Sequence, residues 1–177
     1  MPLLEIVGIT STRKTFAIAF VFMSKENSNH YEWALGRLRH LCGNLTPGVI
    51  VTDRELGLIR ALGDVFPDVK HMICTFHAKC NINHRAWAVT RSLEARDQFI
   101  AQYNALFESR SSASYERRLA EMKVAWQSYP GLVEYLESTW LIPYKEAIIR
   151  AWCDLYLHFG TRTTNALDLK PTFTKSL

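Results

Sequence analysis

Two apolar runs open the chain, Leu3-Leu4-Glu5-Ile6-Val7-Gly8-Ile9 and Phe16-Ala17-Ile18-Ala19-Phe20-Val21-Phe22, with the polar stretch Thr10-Ser11-Thr12-Arg13-Lys14 between them. Runs rich in β-branched and aromatic residues, bounded by turn formers, predict an antiparallel hairpin. After Asn27-Ser28-Asn29 the period lengthens. Tyr31, Ala34, Leu35, Leu38, Leu41 and Cys42 recur at helical spacing, which predicts an amphipathic helix closed by Gly43-Asn44. Gly48-Val49-Ile50-Val51-Thr52-Asp53 is then a short apolar strand ending in an acid. Glu55 to Phe66 sets Leu56, Ile59, Leu62 and Phe66 on one helical face, Val69 to Cys74 repeats the strand, and helical spacing resumes at His77. Two hairpin strands followed by strand, helix, strand, helix predict a mixed sheet with helices on its faces, an α/β fold.

From Ser92 the pattern is helical, over Leu93 to Phe107 and Tyr115 to Trp126, with no Pro or Gly until Pro130-Gly131. Pro143 and His158-Phe159-Gly160-Thr161 break the last helices. Thr163-Thr164-Asn165-Ala166-Leu167-Asp168 then precedes a tail containing Pro171. There is no internal repeat and no low-complexity stretch.

A length of 177 residues, 48% of them hydrophobic, is enough for one sizeable core and favours a single domain. Lys plus Arg (21) exceed Asp plus Glu (17) by four, a mild excess that permits a polyanionic partner without demanding one. Cys42, Cys74, Cys80 and Cys153 are widely spread, which fits a reducing, intracellular compartment. The longest apolar run, Thr15 to Met23, falls far short of the roughly 18 residues of a membrane span, so none is expected.

Asp53 ends a strand, where open α/β sheets place ligand and metal groups; an acid just before a helix is equally a good N-cap. Asp168 taken alone reads as a solvated carboxylate. Cys74, His77, Cys80 and His84 are zinc-ligand types, but on one continuous helix they form a drifting stripe from which four tetrahedral ligands cannot converge. The tryptophans Trp33, Trp87, Trp126, Trp140 and Trp152 fall within helical patterns and read as core. Arg37, Arg39, Arg85, Arg91, Arg96, Arg117 and Arg118 read as solvated, with phosphate contacts open to them.

The order of motifs resembles the Mutator-like element (MULE) transposase domain, with Pro2 to Thr10 and Thr15 to Phe20 as its hairpin, followed by Glu26 and Tyr31-Glu32-Trp33-Ala34-Leu35. Val51-Thr52-Asp53-Arg54-Glu55-Leu56-Gly57-Leu58-Ile59 with Ala61-Leu62 is similar to its second catalytic segment, and Phe66-Pro67 to Cys74-Thr75-Phe76-His77 to its Cys-x-x-His strand and helix. Trp140, Pro143-Tyr144-Lys145 and Trp152 resemble the helical insertion, and His158-Phe159-Gly160 with Thr163-Thr164-Asn165 the approach to the third acid.

The resemblance implies a ribonuclease-H-like core at 1–91, a helical insertion at 92–157 and a segment carrying the third acid at 158–177. It implies Asp53 and Asp168 as catalytic ligands of Mg²⁺ or Mn²⁺, transposon-end DNA as partner, no small-molecule substrate, a nuclear location and room for a homo-oligomer. Two departures alter the expectation. The family's first Asp lies on a strand before the hairpin, ahead of Met1 here, and its third acid is usually Glu where Asp168 stands, close to Pro171. The expected function is thus a fragment of a DNA transposase core, inactive as given for want of one ligand. The alternative is a non-enzymatic, DNA-associated transcriptional regulator derived from a transposase, since plant far-red response factors resemble the same domain. A zinc-stabilised helical module is a third class.

Overall fold

The computed structural model describes residues 1–164. Strands β1 (Leu3–Ile9) and β2 (Thr15–Phe22) pair antiparallel, Leu3 opposite Phe22 and Ile9 opposite Thr15. The register shifts between Ile6 and Val7, which face Ala19 and Ala17, so Ile18 is the extra residue of a β-bulge. Gly8 lies under the Phe16 ring, and a Cβ there would stand 2.4 Å from Phe16 Cζ. The ring occupies the place a side chain would need.

Helix α1 (Ser28–Cys42) starts where Asn27 accepts a hydrogen bond from the His30 amide and stops at Gly43, whose φ of 58° lies in the left-handed region that favours glycine. Strands β3 (Val49–Thr52) and β4 (Lys70–Ile73) pair in parallel through the crossover helix α2 (Leu56–Val65). Helices α3 (Thr75–Thr90), α4 (Leu93–Phe107) and α5 (Ser112–Ala125) follow. Then come α6 (Pro130–Leu136), a π-helical turn over Glu137–Leu141, α7 (Ile142–Ile148) and the short α8 (Arg150–Cys153).

Burial divides between two clusters that meet at α2. Leu58, Ala61 and Leu62 pack with Met23, Tyr31, Leu35 and Leu38 of the first; Ile59, on the other face of α2, packs on the second. That second cluster is larger and joins Ile73 of β4 and Ile82 of α3 to Phe99, Tyr103, Phe107, Trp126, Leu136 and Trp140 of the helical half. Its rings meet edge to face, Phe99 on Trp126 with centroids 5.0 Å apart.

The expected single mixed sheet is absent from the described residues, where two separate two-stranded sheets stand instead. A cavity of about 660 Å³ lies between them, and its lining explains the separation. Consecutive residues Leu4–Ile9 of β1 and Gly48–Asp53 around β3 border it. A strand turns alternate side chains to a face, so an unbroken run means that the hydrogen-bonding edges face the cavity. Phe16, Ile18, Phe20 and Phe22 form an exposed apolar stripe on β2.

Candidate functional site at the carboxyl end of β3

Asp53 directly follows β3 and lies exposed at the mouth of that cavity. It is not the N-cap of α2: Glu55 holds that position, and its carboxylate accepts from the Leu58 amide. Among the described residues the Asp53 carboxylate accepts no hydrogen bond, so the capping explanation for an acid at this position falls away.

What is fixed is the backbone beneath it. The Thr52 hydroxyl donates to the Asp53 carbonyl oxygen at 2.7 Å and lies 2.8 Å from His71 Nε2. A hydroxyl has one proton to give, so Nε2 is the donor in the second bond. Burial, reinforced by the neighbouring Lys70 ammonium, lowers the His71 pKa to about 4, which keeps the ring neutral and makes this the Nε2–H tautomer. Acidity gathers on the other side of Asp53. Burial first, and then the charges of Glu55, Glu26 and Asp53, push the Tyr31 phenol up to about 12.

Arg54 turns towards the helical half, its Cζ 5.3 Å from the Trp140 ring centroid and 5.7 Å from that of Tyr144. Trp140 is buried within the π-helical turn and Tyr144 lies on α7. The residue beside the candidate acid thus clasps the segment that was expected to be an insertion.

Cys74 and His77 hold a piece of chain. Cys74 Sγ accepts from the Thr164 amide at 3.2 Å, the Thr164 hydroxyl lies 3.3 Å from Sγ and 3.4 Å from His77 Nδ1, and both the amide and the hydroxyl of Thr75 donate to the Arg162 carbonyl oxygen at 2.9 and 3.0 Å. Cys80 and His84 are exposed, and among the described residues no three His, Cys, Asp or Glu side chains group as a metal site. Cys74 and His77 thus hold Thr164, and Thr75 between them holds Arg162.

A second anchor is ionic. Arg162 Nη2 donates to Glu108 at 2.5 Å and Arg150 to the same carboxylate at 3.3 Å; Arg150 also donates to Asp154 at 2.7 Å. Burial raises the Glu108 pKa, but the Arg162 hydrogen bond and the charges of Arg162, Lys79 and Arg150 outweigh it and hold the group below its usual value. These anchors bring Thr163 and Thr164 to the cavity that Asp53 borders. Asp168 lies outside the described residues. The roles of Arg54, Glu108 and Arg162 were not legible in the sequence, because each depends on a partner in a distant element; the only local signal was the place of Arg54 beside Asp53.

Comparison with known proteins places this arrangement. Over 128 residues, 70% of the chain, it is 31% identical to the PKS-NRPS hybrid synthetase cheA of Chaetomium globosum. It is 22% identical over 160 residues to Protein FAR1-RELATED SEQUENCE 2 of Arabidopsis thaliana, and 25% identical over 158 residues to Protein FAR1-RELATED SEQUENCE 6 of the same plant, 89% of the chain in each case. The chain spans only 3%, 18% and 21% of these proteins' own lengths. The MULE transposase domain matches residues 1–81, the stretch holding the hairpin, Asp53, Cys74 and His77. Residues 1–81 of this chain belong to the MULE transposase domain family.

Proposed function

We propose that the chain is part of the catalytic core of a Mutator-like DNA transposase, ribonuclease-H-like in plan, acting on DNA in the nucleus. The observation that carries the reading is that Asp53, an acid used by no cap and no ion pair among the described residues, shares its cavity with Thr163 and Thr164. Asp168 comes four positions after Thr164, a chain span of at most about 14 Å, so connectivity allows the second carboxylate to reach the first.

The cavity supports the plan of the fold. Two strand edges that face each other across a gap, without bonding, leave room for one more strand, which would join β1–β2 and β3–β4 into one mixed sheet. The donor set fits a divalent metal only in part. Asp53 offers hard oxygen ligands free of competing hydrogen bonds among the described residues, as Mg²⁺ and Mn²⁺ prefer, but it is a single carboxylate and needs Asp168 beside it. Two such ions, when bound, activate an attacking oxygen and stabilise a leaving one.

Titration with Mn²⁺, followed by water proton relaxation, tests the reading. One weakly held ion is expected, and Asp53→Asn and Asp168→Asn should each abolish it. Binding indifferent to both carboxylates would remove the metal site. A second reading, a DNA-associated regulator derived from a transposase, draws on the similarity to the FAR1-related proteins, which runs over 89% of the chain. It predicts DNA binding that neither metal nor Asp53→Asn alters.

A further inference from the structure

We propose that Arg54 and Arg85 form a contact for the phosphate backbone of DNA, mounted on a ladder of three aromatic rings that leads to Asp53. The proposal rests on the transposase-derived reading for the identity of the polyanion; the arrangement of the residues stands apart from it.

The ladder is continuous. Arg85 Cζ, on α3, lies 5.4 Å from the Tyr135 ring centroid on α6. The Tyr135 hydroxyl accepts from Trp140 Nε1 at 3.4 Å, and Trp140 and Tyr144 both face Arg54. Two guanidiniums and three rings thus follow one another, in the order Arg85, Tyr135, Trp140, Arg54, Tyr144, along the seam between the α/β part and the helical half. The π-helical turn falls between Tyr135 and Tyr144. Its wider winding shifts the residues after it relative to an uninterrupted helix, and such turns gather at functional positions.

The charges on this seam are unspent. Arg96, Arg117, Lys123, Arg150 and Arg162 each have a carboxylate within ion-pair distance; among the described residues Arg54 and Arg85 have none, and both are exposed. A guanidinium held over a ring by cation–π attraction keeps N–H groups to offer, and these grip phosphate oxygens in pairs. Two rings hold Arg54, so less side-chain freedom remains to be lost on binding. A ligand with one isolated anionic group would meet Asp53, Glu26 and Glu55 close by with little compensation. A chain of regularly spaced phosphates meets two fixed cations at once and releases condensed counterions as it does so.

The test is fluorescence anisotropy of the 177-residue chain with a labelled 20-base-pair duplex, from 50 to 200 mM KCl. Arg54→Gln and Arg85→Gln should each make the slope of log K against log salt less negative by about 0.9, the value for one lost phosphate contact. Arg54→Lys and Arg85→Lys keep the charge and should keep the slope while losing several-fold in affinity, since an ammonium has neither fork nor stacking plane. Arg117→Gln, whose parent already pairs with Glu121, should leave slope and affinity as they are. If the wild-type chain binds with a normal salt slope and all four seam variants overlay it, the proposal is wrong and the transposase-derived reading survives. A wild-type chain with no affinity for duplex sinks both. Helical circular dichroism checks each variant; should a Gln variant unfold, its Lys counterpart still decides, because unchanged affinity there contradicts the fork.

Discussion

His71 makes stability depend on pH in a way that can be worked out before measurement. Its pKa falls from an ordinary 6.5 to about 4 in the folded chain, because burial, and after it the Lys70 charge, disfavours the imidazolium. A depressed folded pKa means that only the unfolded chain takes up this proton between the two values. The contribution is therefore complete above 6.5, is lost as pH falls towards 4, and costs about 1.4 kcal/mol per pH unit within the window. Between pH 7 and pH 5 the loss is about 2 kcal/mol, a large part of the margin of an ordinary domain. His71→Gln keeps a side-chain donor near the Thr52 hydroxyl and removes the titration. Urea unfolding of both proteins at half-unit steps gives two curves, and subtraction removes the carboxylates they share. The difference should narrow by about 2 kcal/mol from pH 7 to pH 5 as the wild type loses its advantage. A difference flat to within half a kcal/mol, or a His71 titration by NMR near 6.5, would refute the assigned burial cost.

Three further outcomes follow from the anchors. Cys74→Ala should speed exchange of the Thr164 amide about fivefold, the worth of roughly 1 kcal/mol for one lost hydrogen bond, whereas Cys74→Ser keeps an acceptor and most of the protection; hydrogen-exchange mass spectrometry reads both. Glu108→Gln should destabilise the chain by less than about 1 kcal/mol, since the carboxylate is 41% exposed and screened. Its folded pKa lies below the usual value, so its contribution is present above that value and vanishes as pH falls through the folded one; the mutant's deficit in urea should close as pH falls below the ordinary carboxylate range. Asn27→Ala removes the cap on the His30 amide and should cost about 1 kcal/mol by urea titration.

Local order was legible in the sequence wherever one segment decides its own conformation. Asn27 and Gly43 bound α1 because a short acceptor side chain and a residue at positive φ satisfy the helix ends with no help from elsewhere. Ser92 caps α4 on the same terms, and Leu93–Phe107 is the helix its spacing predicts. Pairing beyond the N-terminal hairpin was not legible. The run Gly48–Asp53 reads equally as a paired or an edge strand, because apolar content reports burial of faces and is silent about which neighbour fills the hydrogen-bonding edge. The sheet expected as one body is thus two.

The same limit governs the site. Asp53 could be marked as a candidate because its place at a strand end is local, but the sequence leaves cap and ligand as alternatives; in the structure Glu55, two residues on, is the N-cap of α2. Cys74 and His77 carried the residue types of a metal site; what they grip is Thr164, 90 and 87 residues away, which no spacing rule could foretell. The clamp joins the matched stretch 1–81 to chain beyond it, and Arg54, through Trp140 and Tyr144, makes a second such link. Both links begin within the family's own stretch and end outside it. The helical half is thereby fastened to the residues on either side of Asp53 and Cys74, and a change of packing there would bear directly on how the carboxyl ends of β3 and β4 face one another.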